Sequence, residues 1–426
     1  MPNDSGLGLI ERHLWGIRPP WPTCPAAATR RSGGGFLRVW YSSAIRFLVA
    51  RERTSCAKSS GVTCPKAVAT AAQSCTKNLM DSPPVGSVNP TLLREAMARR
   101  LYRRSVVTGQ ITLPAVPAMI DEYVTMCDKI FAAVGRNFTA EQLANAKSSL
   151  EGQLAEAFAA SQRSNIVISF NAPVGTVLNY HVKPEWFTVE GTYEQWVATR
   201  EPPLFGTEPD ARVLALADET ADPTTYRVLD IGAGTGRNAL ALARRGHPTD
   251  VVEVTAKFAD MIRSDAERES LDVRVIRRDV FETMDDLRQD YQLIVLSEVV
   301  SDFRTTEHLR GMFELAAQCL APGGRLLFNA FLARHGYTPD NATRQLGQQV
   351  YTSIFTHDEM STAAAQLPLE LVADDSACEY EKAHLPDGAW PPTGWYDEWA
   401  SGLDVFDIER EQCPIELRWL VYKKTA

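Results

Sequence analysis

The segment Asp230-Ile231-Gly232-Ala233-Gly234-Thr235-Gly236 constrains this chain more than any other. It follows a short apolar run, Tyr226-Arg227-Val228-Leu229-Asp230. It precedes Arg237 to Arg245, where Ala239, Leu240 and Leu242 are apolar and Gly246 takes the position just past the helix end. Strand, glycine turn and helix in that order form a ligand-holding unit. Glycine accepts positive φ and lets a ligand approach the backbone, and the helix start offers free N–H groups. The spacing Gly232-x-Gly234-x-Gly236 differs from the Gly-x-Gly-x-x-Gly turn that seats a pyrophosphate. The acid that ends the strand, Asp230, would repel a pyrophosphate and suits an ammonium.

The units that follow keep one rhythm. Asp250-Val251-Val252-Glu253-Val254 reads as a strand ending in an acid 17 residues beyond Gly236, a carboxylate suited to a pair of ribose hydroxyls. A helix is expected from Ala256 to about Glu269, then a strand Val273 to Arg277 with Asp279 and Val280 just past it. Gln292 to Ser297 reads as a fourth strand, Leu309 to Cys319 as a helix, and Leu320-Ala321-Pro322-Gly323-Gly324 as a turn into a fifth strand, Arg325 to Asn329.

Taken together, these residues resemble the class I S-adenosylmethionine (SAM) dependent methyltransferases over about residues 205–345. The resemblance implies an α/β fold with a Rossmann-like seven-stranded sheet whose last strand runs antiparallel, and SAM as cofactor. It implies that Asp230, Gly232, Ala233, Gly234, Thr235 and Gly236 contact the methionine moiety, and that Glu253 holds the ribose. Asp279 and Val280 would take the adenine, while Ser297 and Glu298 line the methyl-donor side. Base- and glutamine-directed members often carry Asn/Asp-Pro-Pro-Tyr/Phe after the fourth strand. This chain has Ser297-Glu298-Val299-Val300 there, a pattern closer to the small-molecule enzymes of the ubiquinone-biosynthesis and tellurite- or thiopurine-detoxification type.

Thr356 and Glu359 form a capping-box pair at a helix start. Leu369 to Ala373 and Ile415 to Tyr422 are expected to complete the sheet. Between them lies a Trp/Pro-rich insertion near residues 385–400, in which Trp395 and Tyr396 are candidates for lining a substrate pocket, as is Tyr180 further upstream. Methyl transfer is an in-line displacement that needs alignment above all, with a base where the acceptor must lose a proton. The candidate bases are Glu298, Asp302, His181 and Tyr180, with Glu298 favoured.

Upstream, the pattern from Pro90 to about Ser164 is helical, with Thr139 and Gln142 as a capping box. Residues 165–190 change to a strand period and suggest a hairpin; Pro202-Pro203 lies in a rigid connector. The organisation expected is thus a helical module with a short hairpin over 80–204 and a SAM-binding domain over 205–426. Residues 1–79 hold eleven lysines and arginines against three acids and sustain no helical period, which suggests a disordered or non-native extension rather than a targeting segment.

The chain carries −9 overall despite that basic start, so its body is strongly acidic. An acidic body is a poor match for nucleic acid, where affinity comes from neutralising phosphates. A small-molecule methyl acceptor is the expected partner; oligomeric state is left open. Eight cysteines without a C-x-x-C and no close histidine pair give no support for a metal site. Widely spaced cysteines read as reduced thiols of a cytoplasmic protein, and no apolar run reaches membrane-spanning length. Two rival functions remain: a SAM-fold binding protein without catalysis, and a methyltransferase acting on protein or RNA.

Overall fold

The computed structural model describes residues 89–174 and 178–425. The expectation for residues 1–79 lies outside them. The chain divides into two units, one of them Thr23–Arg103. Its described part is helix α1 (Pro90–Tyr102), which Asn89 caps by accepting the Thr91 N–H at 2.9 Å.

The other unit begins with a small α+β layer. Strand β1 (Val106–Pro114) is followed by α2 (Ile120–Ala133) and α3 (Ala140–Ala160), then by the antiparallel strands β2 (Asn165–Pro173) and β3 (Asn179–Glu185). β1 pairs antiparallel with β2, giving the order β1-β2-β3. The uninterrupted helical reading of Pro90 to Ser164 is corrected here. β1 interrupts it because Val106, Val107, Thr108, Ile111 and Thr112 are β-branched and fit a pleated surface. The capping box of Thr139 and Gln142 is formed at the start of α3. Apolar faces of both helices pack on the sheet through Tyr123, Phe131, Leu150, Leu154, Ile166 and Ile168.

The main layer starts after α4 (Val189–Thr199) and α5 (Ala211–Ala217). It then alternates as β4 (Val228–Ile231), α6 (Arg237–Arg244), β5 (Thr249–Val252), α7 (Ala256–Glu269), β6 (Val273–Ile276), β7 (Tyr291–Leu296), α8 (Thr306–Cys319) and β8 (Leu320–Ala333). It closes with α9 (Asn341–Gln349), the two-residue β9 (Ile354–Phe355), α10 (His357–Ala364), β10 (Leu369–Ser376), α11 (Ala377–His384), α12 (Tyr396–Ala400) and β11 (Ile415–Lys424). The seven long strands run in the order β10-β11-β8-β7-β4-β5-β6, and β9 pairs with the far end of β8. Strands β8, β7, β4, β5 and β6 are mutually parallel, and β11 is antiparallel to both its neighbours.

That order fixes where a ligand can sit. The chain leaves β4 to one side for β5 and β6, then crosses to the other side for β7 and β8. The crevice beyond the carboxyl ends of such a sheet opens at the reversal, which is the end of β4. The glycine turn lies there. The expected turn at Pro322-Gly323-Gly324 is absorbed into β8 as an irregularity, since Tyr291 pairs with Leu320 and Leu293 already pairs with Arg325. β8 also runs past Asn329 to Ala333, because β11 pairs with it over that whole length.

Candidate active site

All three glycines of the turn are left-handed, with φ of +66° at Gly232, +56° at Gly234 and +85° at Gly236. Gly236 is the residue before α6, and Gly246 (φ +94°) ends that helix two residues past its last turn. No side chain fits easily at the turn. A Cβ at Gly232 would lie 2.5 Å from Val299 Cγ2, and one at Gly234 would touch the Phe205 ring at 3.3 Å.

Asp230 lies inside β4 near its end, buried, with its Oδ2 lacking any hydrogen-bond partner. Burial, reinforced by the charge of Asp210, pushes its carboxyl up to about 8. Glu253 follows β5 directly. Its Oε2 accepts the Gly234 N–H at 2.9 Å and its Oε1 accepts the Thr255 N–H at 2.7 Å, so the second strand's acid braces the glycine turn. Burial raises the Glu253 carboxyl as well.

On the β7 side, Glu298 adopts φ +62° and its N–H donates to Asn329 Oδ1 at 2.7 Å. Its carboxylate meets Arg237 at 3.0 Å. Arg237 also donates to Asp210 at 2.6 Å and 3.2 Å. Asp210 further accepts from Asn238 Nδ2 at 2.8 Å and from Ser297 Oγ at 2.7 Å. Burial lifts the Glu298 carboxyl to about 7 against the opposing pull of Arg237.

Asp210 can serve this network because another acid takes over its helix. It is the residue before α5, yet its side chain makes no cap bond there. Glu381 of α11 does so instead, accepting the Ala211 and Arg212 N–H groups at 2.7 and 3.1 Å and the Trp419 Nε1–H at 2.9 Å. Asp210, Arg237, Asn329 and Glu381 were not singled out from sequence. Only tertiary contact joins them, and the one local signal was an acid ahead of a helix.

Asp279 and Val280 sit past β6, on the far side of Glu253 from the glycine turn's own strand. Asp279 is exposed and accepts the Phe281 N–H at 2.9 Å; Val280 is partly buried. Tyr396 opens α12, is 1% exposed, and its hydroxyl has no partner. Burial, reinforced by the charges of Glu298 and Asp210, pushes that hydroxyl well above the usual phenol range. Trp395 packs 5.4 Å from Trp399, in the core beneath the insertion. Tyr180 is not brought to this site: its ring lies 6.1 Å from both Phe131 and Phe138 in the small layer. His181 is exposed beside it on β3. Asp302 is engaged by Arg163 and by the Tyr193 hydroxyl.

An aromatic roof covers the turn. Phe205 lies on Gly234 and packs 5.6 Å from Phe258 and 6.3 Å from both Tyr193 and Trp196 of α4.

The donor set fits SAM. A carboxylate oxygen buried without a partner seeks a cation; Asp210, Asp230 and Glu253 are buried, Glu298 is partly so, and Arg237 is already paired with Asp210 and Glu298. SAM brings an ammonium and a sulfonium to such a surplus of negative charge.

Residues 228–324 match the family model for a methyltransferase domain. Among solved structures, the fold is similar to geranyl diphosphate C-methyltransferase from Streptomyces coelicolor A3(2), at 16% identity and a TM-score of 0.38, covering 50% of this chain and 80% of that one. It is also similar to a candidate sarcosine dimethylglycine methyltransferase from Galdieria sulphuraria, at 15% identity and a TM-score of 0.39, covering 50% of this chain and 85% of that one. No curated protein matches the sequence. Among the described residues, no helix is long and apolar enough to cross a membrane, and no group of three or more His, Cys, Asp or Glu residues is placed to hold a metal ion.

Proposed function

We propose that this chain, which carries a class I SAM-dependent methyltransferase domain, transfers the methyl group to an O, N or S atom of a small molecule. The observation that carries the reading is the unpartnered, buried Oδ2 of Asp230 at the crevice of the sheet, beside three left-handed glycines.

In this reading Asp230 takes the ammonium of the methyl donor, and the turn from Gly232 to Gly236, with Ala233 and Thr235, lies along its methionine part. Glu253, already braced on Gly234 and Thr255, accepts the ribose hydroxyls. Asp279 and Val280 meet the adenine, and Ser297 stands at the methyl-donor side. SAM supplies a methyl group made electrophilic by its sulfonium. Glu298 is the base. Its carboxyl is held near 7 by burial, so it can take a proton from an acceptor at neutral pH. Arg237 keeps it oriented. Trp395 and Tyr396 border the acceptor space.

Calorimetric titration with S-adenosylhomocysteine, followed by release of that product from SAM in a metabolite extract, tests the proposal. Binding and turnover are expected; no binding of S-adenosylhomocysteine would sink it. A second reading, a SAM-fold binding protein without catalysis, draws on the packing of Phe205 and Val299 against the turn. Binding without turnover in any extract would favour it. An RNA acceptor is disfavoured by the acidic body.

A further inference from the structure

Two buried donors on one face of the sheet have nothing to donate to: one on Asn329, which holds the Glu298 N–H, the other on Tyr396, whose hydroxyl feels the charge of Glu298. Asn329 lies on β8 and is 1% exposed. Its Oδ1 accepts the Glu298 N–H, which fixes the amide's orientation and leaves Nδ2 as the free end, and that Nδ2 has no partner. The Tyr396 hydroxyl is the second such group. Leu327, Phe331 and Ala333 of β8 join one apolar cluster with Tyr396 and Trp399. Asn329 alternates in register with those three, so it shares their face of the sheet. Buried polar atoms are paired in the great majority of native sites, and an unpaired one calls for an explanation.

Their place in the sheet separates them from the groups assigned to ribose and adenine. Those stand on β5 and past β6, whereas Asn329 is on β8, across β7 from the glycine turn. We propose that the acceptor atom is the oxygen of a hydroxyl, held by Asn329 Nδ2 and the Tyr396 hydroxyl and deprotonated by Glu298; this rests on the methyltransferase reading above. A hydroxyl has one hydrogen to give and two lone pairs to offer. One carboxylate and two donors are its complement.

The same set serves other nucleophiles poorly. A neutral amine has a single lone pair, which the methyl carbon needs and the two donors would occupy. Thiol sulfur is a weak hydrogen-bond acceptor, so it would leave both donors unpaired. With oxygen the step balances. The hydroxyl proton passes to the Glu298 carboxylate, and the oxygen keeps two lone pairs on the donors and attacks the methyl carbon with the third. As the C–O bond forms, the C–S bond breaks with its electron pair going to sulfur. The products are a methyl ether and S-adenosylhomocysteine, and Glu298 returns its proton to water.

Phenol, aniline and thiophenol are matched in size and differ in this one atom. Their affinities for the full chain saturated with S-adenosylhomocysteine can be compared by calorimetry. Phenol is expected to bind at least about tenfold tighter than the other two, equivalent to ~1.4 kcal/mol. Tyr396→Phe removes only a hydroxyl that has no partner, so the variant should fold with an unchanged or higher Tm and keep its S-adenosylhomocysteine affinity while losing the preference for phenol. Asn329→Asp, which retains the oxygen facing Glu298 N–H and replaces the donor, should lose it too. Three results would overturn the assignment. They are phenol binding no tighter than aniline or thiophenol, no binding of any of the three, and a Tyr396→Phe variant that loses S-adenosylhomocysteine affinity as much as phenol affinity, which would give the donors to the methyl donor's carboxylate. Failure of the wild type to bind S-adenosylhomocysteine would overturn the methyltransferase reading itself.

Discussion

The guanidinium of Arg237 lies 3.0 Å from the carboxylate of Glu298 and is buried with it. One residue starts the helix after the glycine turn and the other follows β7, so this ion pair ties together the two edges of the crevice at the sheet's reversal. A buried pair of this kind is held by further bonds, here one that Arg237 donates to Asp210 and one that the Glu298 N–H donates to Asn329 Oδ1.

With its carboxyl at about 7, Glu298 is protonated through the acid range and cannot act as a base there. Turnover should therefore fall as pH drops below about 7. Glu298→Gln should lower kcat by about 10²–10⁴-fold, the usual worth of a positioned general base. Its S-adenosylhomocysteine affinity should stay near the wild-type value. A pH–rate profile and calorimetry on the variant check both; an unchanged kcat would remove Glu298 from the chemistry.

Glu253 has both oxygens on backbone N–H groups of the turn and the next helix. Charge-assisted hydrogen bonds contribute roughly 1.5–3 kcal/mol each. Glu253→Ala should weaken SAM binding at least about tenfold, since ~1.4 kcal/mol is a factor of ten. Equal calorimetric affinity in a folded variant would refute the ribose role.

Asp230 sets a pH dependence of stability. Its carboxyl stands near 3.8 when unfolded and about 8 when folded, so folding takes up a proton between those values. Stability of the ligand-free protein should therefore decline as pH rises from about 4 to about 8. Asp230→Asn should flatten that decline. A ligand cation beside Asp230 favours its ionised form, so S-adenosylhomocysteine binding should release protons at pH 7, and affinity should rise from pH 6 to 8. Thermal melts across pH, and calorimetry in buffers of different ionisation enthalpy, measure each part.

The Phe205 ring rests on Gly234. Phe205→Ala should open the turn and speed S-adenosylhomocysteine association several-fold in stopped-flow traces. Gly234→Ala should do the reverse and cost stability as well. It forces a side chain into φ +56°, a strain of about 1–3 kcal/mol, and drives its methyl against the ring.

Much of the main layer was legible in the sequence because its signals are local. Val228 and Leu229 are apolar and buried ahead of Asp230, the turn that follows is glycine because its φ is positive, and α7 spans Ala256–Glu269 as its period implies. The seven-stranded sheet with its antiparallel last strand was implied by the family those units resemble. Strand β1 was hidden because α1 precedes it and α2 follows within a few residues, so a helical period on both sides masked nine extended ones. The substrate side was the least legible part. Tyr180 and Tyr396 look alike as residues, yet one packs half-buried against the core of the small layer and the other is buried within the electrostatic reach of Glu298 and Asp210. Asp210 reads as an ordinary helix cap until Glu381, 171 positions later in the chain, takes that duty and releases it to Arg237. Sequence alone determined that a cation-tolerant glycine turn ends a buried strand, since backbone conformation and burial period are properties of neighbouring residues. Only the tertiary structure decided which acids gather near that turn and which buried donors are left unpaired, because burial and charge pairing depend on what distant segments bring alongside.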